Sequence, residues 1–371
     1  MIYIIGIIIT SFLTLILMGK KGKSPADRIL VSWLCVILVH LILYSIISSN
    51  SYLKYPFLLG LELPIPLIHW PFLFLYTLSL TAKQVSRLKI IFHFLPFATA
   101  LLSLIPFFLL SSEEKIYTYQ NRGEGFEMNL AVIFIGILLS GITYTFLTIR
   151  ALKRYKRQIK DNFSSIEKIN LNWMYRLVIG LSCIWILVFF ADDNTVFVSV
   201  VGFVLFIGYY GIKQVGVFTN SQAISFIPSG ESKDASDPIM FPSESVKYEK
   251  SALSQSQLST YHYDLNLVMT QKKLFLIPDL TLKMVADELN LHPNTLSQVI
   301  NSVEQKNFFD YVNTLRIDEF KARVCMPGSQ KFTLLTLAYE CGFNSKTSFN
   351  RNFKNLTGKS PSEYLREIKA H

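Results

Sequence analysis

Charged side chains are scarce in this 371-residue chain, at 17% of all residues, whereas about a quarter is usual in soluble proteins. This scarcity argues against a fully soluble, disordered or fibrous protein. Cysteine is scarce as well, and the four cysteines show no CxxC spacing, so neither a disulfide framework nor a zinc site is indicated. Hydrophobic residues make up 51% of the chain, and the length allows about two or three domains.

The net charge of +10 is unevenly distributed along the chain. The first 213 residues carry 19 basic and 10 acidic side chains, whereas the remainder carries 17 and 16. The basic excess therefore belongs to the apolar half. This location indicates a membrane topology rather than nucleic-acid binding by the whole chain.

Seven apolar runs occupy the first 213 residues. Each approaches the roughly 20 residues that a helix needs to cross a bilayer, and none shows the polar stripe of a surface helix. Prolines within or near them are tolerated in membrane helices. We therefore expect a seven-span membrane domain over residues 1–216, with spans at Ile2–Met18, Ile29–Ile47, Phe57–Leu80, Ile90–Leu110, Leu130–Ile149, Trp173–Phe190 and Thr195–Ile212.

The loops between these runs alternate in charge. Loops one, three and five carry basic clusters, whereas the even loops are mainly acidic. The positive-inside bias then places the N-terminus outside and everything beyond Lys213 in the cytoplasm of a bacterial cell, with the spans in its inner membrane. The alternative of a cleaved signal peptide is disfavoured, because the basic cluster follows the first run and no A-x-A site is present.

Residues 217–260 differ in composition from both flanking parts. They contain eleven serines and three prolines, which favours a flexible linker. A plain spacer explains this composition, and no motif supports the alternative of a regulated cleavage site.

Residues 261–371 show two similar helical patterns. Thr281 is a suitable N-cap for a helix with an apolar face, Asn290 suits the following turn, and Leu296 begins the inner face of a second helix. Thr333, Gly342 and Phe349 repeat this order 52 or 53 residues later. With one helix predicted at Asn307–Val324 between them, the pattern indicates two helix-turn-helix units joined by a long helix.

The second unit contains the elements A-x-x-x-G-F-x-S, F-x-R-x-F-K and G-x-[ST]-P-x-x-Y between Leu337 and Tyr364. Together with the run Asn307–Asn313, they closely resemble the DNA-binding domain of the AraC/XylS family of bacterial transcription regulators. The resemblance implies an all-α domain whose two units each present a helix to the major groove. Phe320 departs from the small residue that the family often has at this position.

Helical phase predicts which side chains of this domain face DNA. Asn and Gln can pair with adenine and Arg with guanine, whereas Lys354 and Lys359 are suited to phosphates. The alternative is a merely solvated face. The predicted contacts are Asn294, Ser297, Gln298 and Asn301 in the first unit and Lys346, Thr347, Asn350, Arg351 and Lys354 in the second.

Three further residues of this domain have predicted structural roles. Arg316 falls on the inner side of the central helix, so we expect a buried, paired charge rather than a phosphate contact. Cys325 and Cys341 lack a basic or metal-like neighbourhood, and we expect them to pack in the core rather than to sense redox state.

Ionisable residues within membrane spans are functional candidates. His40 lies within the second predicted span, and Glu62 and His69 lie seven residues apart in the third, where a helix would place them on one face. They are the candidates for sensing a signal. The alternatives are a hydrogen bond between helices for the histidines and an interfacial position for Glu62.

Taken together, the chain is expected to be an all-α, membrane-integrated, one-component transcription regulator and not an enzyme. No metal, cofactor or catalytic motif is present in the sequence. The expected partners are double-stranded promoter DNA, the lipid bilayer, an unknown small-molecule or peptide signal, RNA polymerase and a second copy of the chain. The alternatives are a transporter or receptor-like enzyme with a regulatory cytoplasmic domain, and a membrane half that only anchors the regulator.

Overall fold

The computed structural model describes residues 2–81, 87–213, 253–328 and 331–370. These residues are helical and contain no β-strand, with one isolated antiparallel bridge between Phe163 and Thr281, so the all-α prediction is confirmed. The chain divides into two compact units. Over the described residues, the first takes Met1–Tyr155 and Leu171–Thr219, and the second takes Lys156–Asn170 and Asn220–His371.

The helices of the first unit follow the predicted runs in part. They are α1 (Ile2–Gly19), α2 (Pro25–Ser48), α3 (Pro66–Leu80), α4 (Arg87–Phe92), α5 (Leu95–Ser103), α6 (Ile105–Phe108), α7 (Ser112–Gln120), α8 (Glu127–Asn162), α9 (Asn172–Phe190) and α10 (Asp193–Lys213). The last turns of α8, from Lys156, belong to the second unit.

Among the described residues, three helical segments are long and apolar enough to cross a membrane, namely Pro25–Ser48, Glu127–Asn162 and Asn194–Ile212. Ile4–Gly19, Pro66–Leu80 and Asn172–Val188 are apolar but shorter. The outer face of α8 is itself apolar, because Ile135, Ile142 and Phe146 are exposed there. The structure thus supports some of the predicted spans and does not confirm a bundle of seven.

Prolines divide the fourth predicted span. We expected one helix over Ile90–Leu110, but the structure has the three short helices α4, α5 and α6, and Pro96 and Pro106 each lie in the first turn of a new helix. Proline lacks the N–H that would continue the preceding helix. For the same reason α3 begins at Pro66 rather than near Phe57.

The helices of the second unit are α11 (Gln255–Gln271), α12 (Leu282–Glu288), α13 (Pro293–Val299), α14 (Phe308–Val324), α15 (Leu334–Glu340), α16 (Lys346–Thr357) and α17 (Pro361–Ala370). Helix α11 begins six residues before the predicted domain boundary at Tyr261, with Ser254 as its N-cap. The end of the predicted linker is therefore helical, and its residues 217–252 lie outside the described residues.

Helix α14 contributes to two hydrophobic cores. Its N-terminal half, with Phe308 and Val312, packs in a core with α11, α12 and α13. Its C-terminal half packs with α15 and α16 in a second core, where the Phe320 ring lies 4.7 Å from that of Phe349 and 5.6 Å from that of Phe353. The large residue at position 320 thus fills an aromatic core.

Gly342 lies in the turn between α15 and α16 and packs closely against the first core. Its φ is +91°, and an added Cβ would lie 2.7 Å from the Phe275 carbonyl oxygen and 2.9 Å from that of Leu276. Gly358, at the C-cap of α16, also has a positive φ of +76°, but an added Cβ would meet nothing within 4 Å. Alanine at these two positions would therefore separate the steric cost of an added Cβ from the cost of a left-handed backbone.

We expect Gly342→Ala to lower the free energy of unfolding of this unit by about 3 kcal/mol, because it combines a left-handed backbone with a backbone clash. Gly358→Ala should cost only about 1 kcal/mol, the backbone part alone. Hydrogen exchange of the most protected α14 amides in the full chain measures both values. Equal losses would show that the close approach at Gly342 is unimportant.

Candidate nucleic-acid interface

The first helix-turn-helix unit consists of α12, a tight turn and α13. The Thr281 side chain accepts a hydrogen bond from the Met284 amide at 3.2 Å and caps α12, as predicted. Asn290 has a φ of +54°, and the Leu291 amide then donates to the Ala286 carbonyl at 2.8 Å. The small, buried Ala286 lets the chain turn directly onto α12.

The predicted contact residues of this unit lie on α13 and the π-turn that follows it. Leu296 and Val299 are fully buried and fix the orientation of the helix. Asn294 is exposed, whereas Ser297, Gln298 and Asn301 are half-buried. Asn301 donates to the Ser297 hydroxyl at 3.2 Å, so these two side chains are already paired with each other.

The second unit repeats the geometry of the first. Thr333 caps α15 by accepting from the Thr336 amide at 3.1 Å. After Gly342, the Phe343 amide donates to the Ala338 carbonyl at 3.1 Å, the counterpart of the bond between Leu291 and Ala286. The predicted internal repeat is therefore confirmed in the backbone hydrogen bonds of both turns.

Helix α16 has one apolar and one polar face. Phe349 and Phe353 are buried in the second core. All five predicted contacts of this unit are exposed: Lys346, Thr347, Asn350, Arg351 and Lys354. Helical phase thus correctly predicts that these side chains lie on the solvent face. Among them, the Asn350 amide and the Arg351 guanidinium are suited to base edges.

Two polar residues of α16 face inward, and the sequence analysis assigned them no role. Ser348 and Asn352 are buried, and the Asn352 amide donates to the Ser348 carbonyl at 3.0 Å. The sequence feature that could have predicted their burial was the four-residue spacing of Ser348 and Asn352, which places both on the inner face of the helix. Lys359, expected to hold phosphate, lies 2.6 Å from the carboxylate of Glu367 in an exposed ion pair.

Arg316 is 1% exposed, which confirms the predicted buried role. Its partners are mainly carbonyl oxygens rather than a carboxylate. Nε donates to the Phe275 carbonyl at 2.7 Å, and Nη2 donates to those of Ile277 at 2.7 Å and Pro278 at 3.2 Å. Burial lowers the pKa of the guanidinium to about 10, and the charges of Glu167 and Asp279 oppose that shift, so Arg316 is charged at neutral pH.

The two cysteines of this unit differ in environment. Cys341 is buried, and burial raises the pKa of its thiol to about 12, which leaves it a packing residue. Cys325, at the end of α14, is exposed, so the expected packing role is wrong for this residue. Helix α14 ends at Val324, so the side chain of Cys325 does not continue the buried face of the helix.

A short segment from loop five lies against α14 and α16, and the sequence analysis missed it. Glu167 accepts a hydrogen bond from the Arg351 guanidinium at 3.1 Å. Ser164 is 1% exposed, and its hydroxyl accepts from Nη2 of Arg316 at 3.1 Å. The available signal was the presence of two acidic residues, Asp161 and Glu167, in a loop otherwise rich in basic residues.

The predicted sensing residues lie in the first unit. His69 on α3 accepts from the Trp33 indole N–H at 3.2 Å through Nδ1, and its Nε2 lies 3.0 Å from Nδ1 of His40 on α2. An indole N–H can only donate, so in the neutral ring Nε2 of His69 carries the proton and donates to His40. The predicted hydrogen bond between helices is present.

Glu62 stands apart from this pair. It lies in a bend before α3 starts at Pro66, so the prediction that it shares a helix face with His69 is wrong. The side chain is buried, and Oε2 has no hydrogen-bond partner among the described residues. Within the same residues, no cluster of three or more His, Cys, Asp or Glu side chains could hold a metal ion.

Comparison with known proteins identifies the second unit. The profile of the helix-turn-helix domain family matches residues 285–367, from the middle of α12 into α17. No curated protein and no solved structure shows significant similarity to the chain. The matched segment contains both turns, α14 and the exposed face of α16. Residues 285–367 are therefore an AraC-type helix-turn-helix domain, the kind of domain through which transcription regulators bind DNA.

Proposed function

We propose that the chain is a one-component transcription regulator that reads promoter DNA through α13 and α16. The observation that carries the proposal is the exposed polar face of α16, which an aromatic core holds in position within an AraC-type domain. Asn350 and Arg351 are suited to base edges, and Lys346 and Lys354 to phosphates. Asn294, Ser297, Gln298 and Asn301 extend the surface onto the first unit.

The test of this surface compares alanine substitutions at Asn350 and Arg351 with one at Asn355, all on α16. Duplexes selected from a randomised pool by the full chain in detergent provide specific sites, and scrambled duplexes provide the reference. Asn350→Ala and Arg351→Ala should each weaken specific binding by about 1–3 kcal/mol and change nonspecific binding little. Asn355→Ala, exposed on the same helix one turn after Arg351 but not among the predicted contacts, is the matched control.

Equal losses on specific and scrambled duplexes would reassign Asn350 and Arg351 to backbone contacts. Binding to both kinds of duplex should fall steeply with rising salt. A chain that retains no duplex even at low salt would contradict the proposed function itself.

We further propose that the first unit is a multi-pass domain of the bacterial inner membrane, with the N-terminus outside and the DNA-binding domain in the cytoplasm. The three long apolar helices, the three shorter ones and the exposed apolar face of α8 support this placement. The switch from apolar to basic residues at Arg150, still within α8, supports a cytoplasmic end for that helix.

Exposed Cys325 provides a native probe of this topology. A membrane-impermeant maleimide should leave Cys325 unmodified in intact spheroplasts and modify it in inverted vesicles, as read by mass spectrometry of its peptide. Glu113→Cys, in the loop predicted to lie outside, should show the opposite pattern. Modification of Cys325 in intact spheroplasts would overturn the proposed orientation.

We propose the histidine pair as the signal-sensing part of this domain, with the buried carboxyl of Glu62 as a second candidate. The chain from Trp33 through His69 to His40 joins α2 to α3 by directional bonds, so a ligand or proton that breaks it changes how two helices interact. RNA polymerase and a second copy of the chain remain proposed partners. Anchoring at the membrane would raise the effective concentration of the DNA-binding domains and so favour their pairing on adjacent DNA sites.

We expect His69→Leu to change the basal output of a promoter reporter by about fivefold or more, the lower end of usual allosteric coupling. His93→Leu removes another histidine of the same unit, bonded to Tyr144 at 2.9 Å, and should leave the output unchanged at equal protein levels. Similar effects of both variants would assign His69 a purely structural role.

A further inference from the structure

We propose that residues 163–167 form an internal clamp that occupies Arg351 and must leave before α16 can engage DNA. The inference rests on the proposed DNA-binding function and concerns its regulation. The clamp and the surface that receives it both belong to the second unit. That surface consists of α14, the strand-like stretch at Leu280 and Thr281, and the start of α16.

Ser164 anchors the clamp with each of its polar groups. Its amide donates to the Leu280 carbonyl at 3.1 Å. Its carbonyl accepts from the Asn313 amide group at 3.0 Å and from Arg316 at 3.4 Å. Its hydroxyl accepts from Arg316 at 3.1 Å. Ser164 and Ile166 are both buried, so the segment packs into the domain and is not a loop on its surface.

Ser165 extends the clamp to the second turn. Its hydroxyl accepts from the Asn344 amide group at 3.0 Å, and Asn344 also donates to Asp279 at 2.6 Å. Asn344 directly precedes Ser345, the N-cap of α16. The clamp therefore contacts the second helix-turn-helix unit at the position that sets the direction of α16.

Glu167 places a carboxylate on the DNA-facing side of α16. Oε1 accepts from Arg351 at 3.1 Å, and the carboxylate also accepts from Ser348 and Ser165. Burial by itself would raise the pKa of Glu167, but these hydrogen bonds and the charge of Arg351 hold it below the ordinary value. The carboxylate of Glu167 therefore occupies an Arg351 donor that a DNA phosphate or base edge would need.

The domain has the means to release the clamp. When Ser164 leaves, Nε of Arg316 keeps the Phe275 carbonyl and Nη2 keeps those of Ile277 and Pro278. Nη1 keeps Oδ1 of Asn313 at 3.5 Å, so each nitrogen of the guanidinium retains an acceptor. The clamp is also continuous in the chain with α8, which ends at Asn162, and precedes α9. Residues of α8 up to Tyr155 and all of α9 belong to the first unit, so the chain connects the proposed sensing domain to Glu167, the ion-pair partner of Arg351.

The test measures binding of a fixed 24-base-pair duplex to the full chain in detergent at low salt by fluorescence anisotropy. Glu167→Gln should raise the affinity about tenfold, because Arg351 becomes available. Glu288→Gln, which pairs with Lys272 elsewhere in the domain, removes the same charge and should raise it no more than about twofold, through nonspecific attraction. In the Arg351→Ala background, Glu167→Gln should lose its effect, since the two residues act through one contact.

Hydrogen exchange supplies a second readout on the unmodified protein. Saturating duplex should expose the Ser164 amide, which donates to Leu280, while the α14 amides stay protected. A Glu167→Gln effect no larger than that of Glu288→Gln, or unchanged protection of Ser164 in the DNA complex, would overturn the clamp. Absence of binding by every variant would instead overturn the proposed function, so the two failures are distinguishable.

Discussion

A buried guanidinium requires a hydrogen-bond acceptor for each of its donors, because an unpartnered charge inside a protein is strongly destabilising. Arg316 meets this requirement with carbonyls from the stretch after α11 and with the carbonyl and hydroxyl of Ser164. Its guanidinium also lies 5.8 Å from the ring of Phe343. One side chain of α14 thus holds together the two helix-turn-helix units and the loop-five segment.

This arrangement explains why a glycine occupies the second turn. Gly342 approaches Nε of Arg316 and the two carbonyls beside it so closely that a Cβ would fall within 3 Å of all three atoms. The turn of the second unit is therefore packed against Arg316 and against the Phe275 carbonyl that accepts from it. Asn290, its counterpart in the first unit, also has a positive φ, of +54°, and carries a side chain there.

The structural features that were predicted correctly are those that depend on residues close together in the sequence. The N-caps Thr281 and Thr333, the turns at Asn290 and Gly342 and the exposed face of α16 follow from spacing within one or two helical turns. Helical phase also placed Arg316 correctly inside. The expected span over Ile90–Leu110 failed because apolar composition outweighed two prolines in the prediction.

The partners across long sequence separation could not be predicted. Ser164 and Arg316 are 152 residues apart, and Glu167 and Arg351 are 184 apart, and no periodicity relates a loop to a distant helix. Carbonyl acceptors leave no trace in residue types, so the paired charge expected for Arg316 had the right burial and the wrong partner. The same limit applies to the histidine pair, whose bond depends on how α2 and α3 pack.

Net charge is a poor guide to the position of the proposed DNA surface, and the ion pairs explain why. In the domain, Glu319 pairs with Lys273 and Arg323, and Glu367 pairs with Lys359, so acidic and basic groups cancel locally away from the α16 face. Ion pairs near the surface contribute little stability, but by cancelling charge elsewhere they leave a small basic surface to dominate the encounter with a polyanion. On a surface with so few cations, a single carboxylate at Arg351 removes a large share of the attraction. A domain of near-neutral charge is for that reason easier to regulate by one intramolecular contact than a strongly basic domain would be.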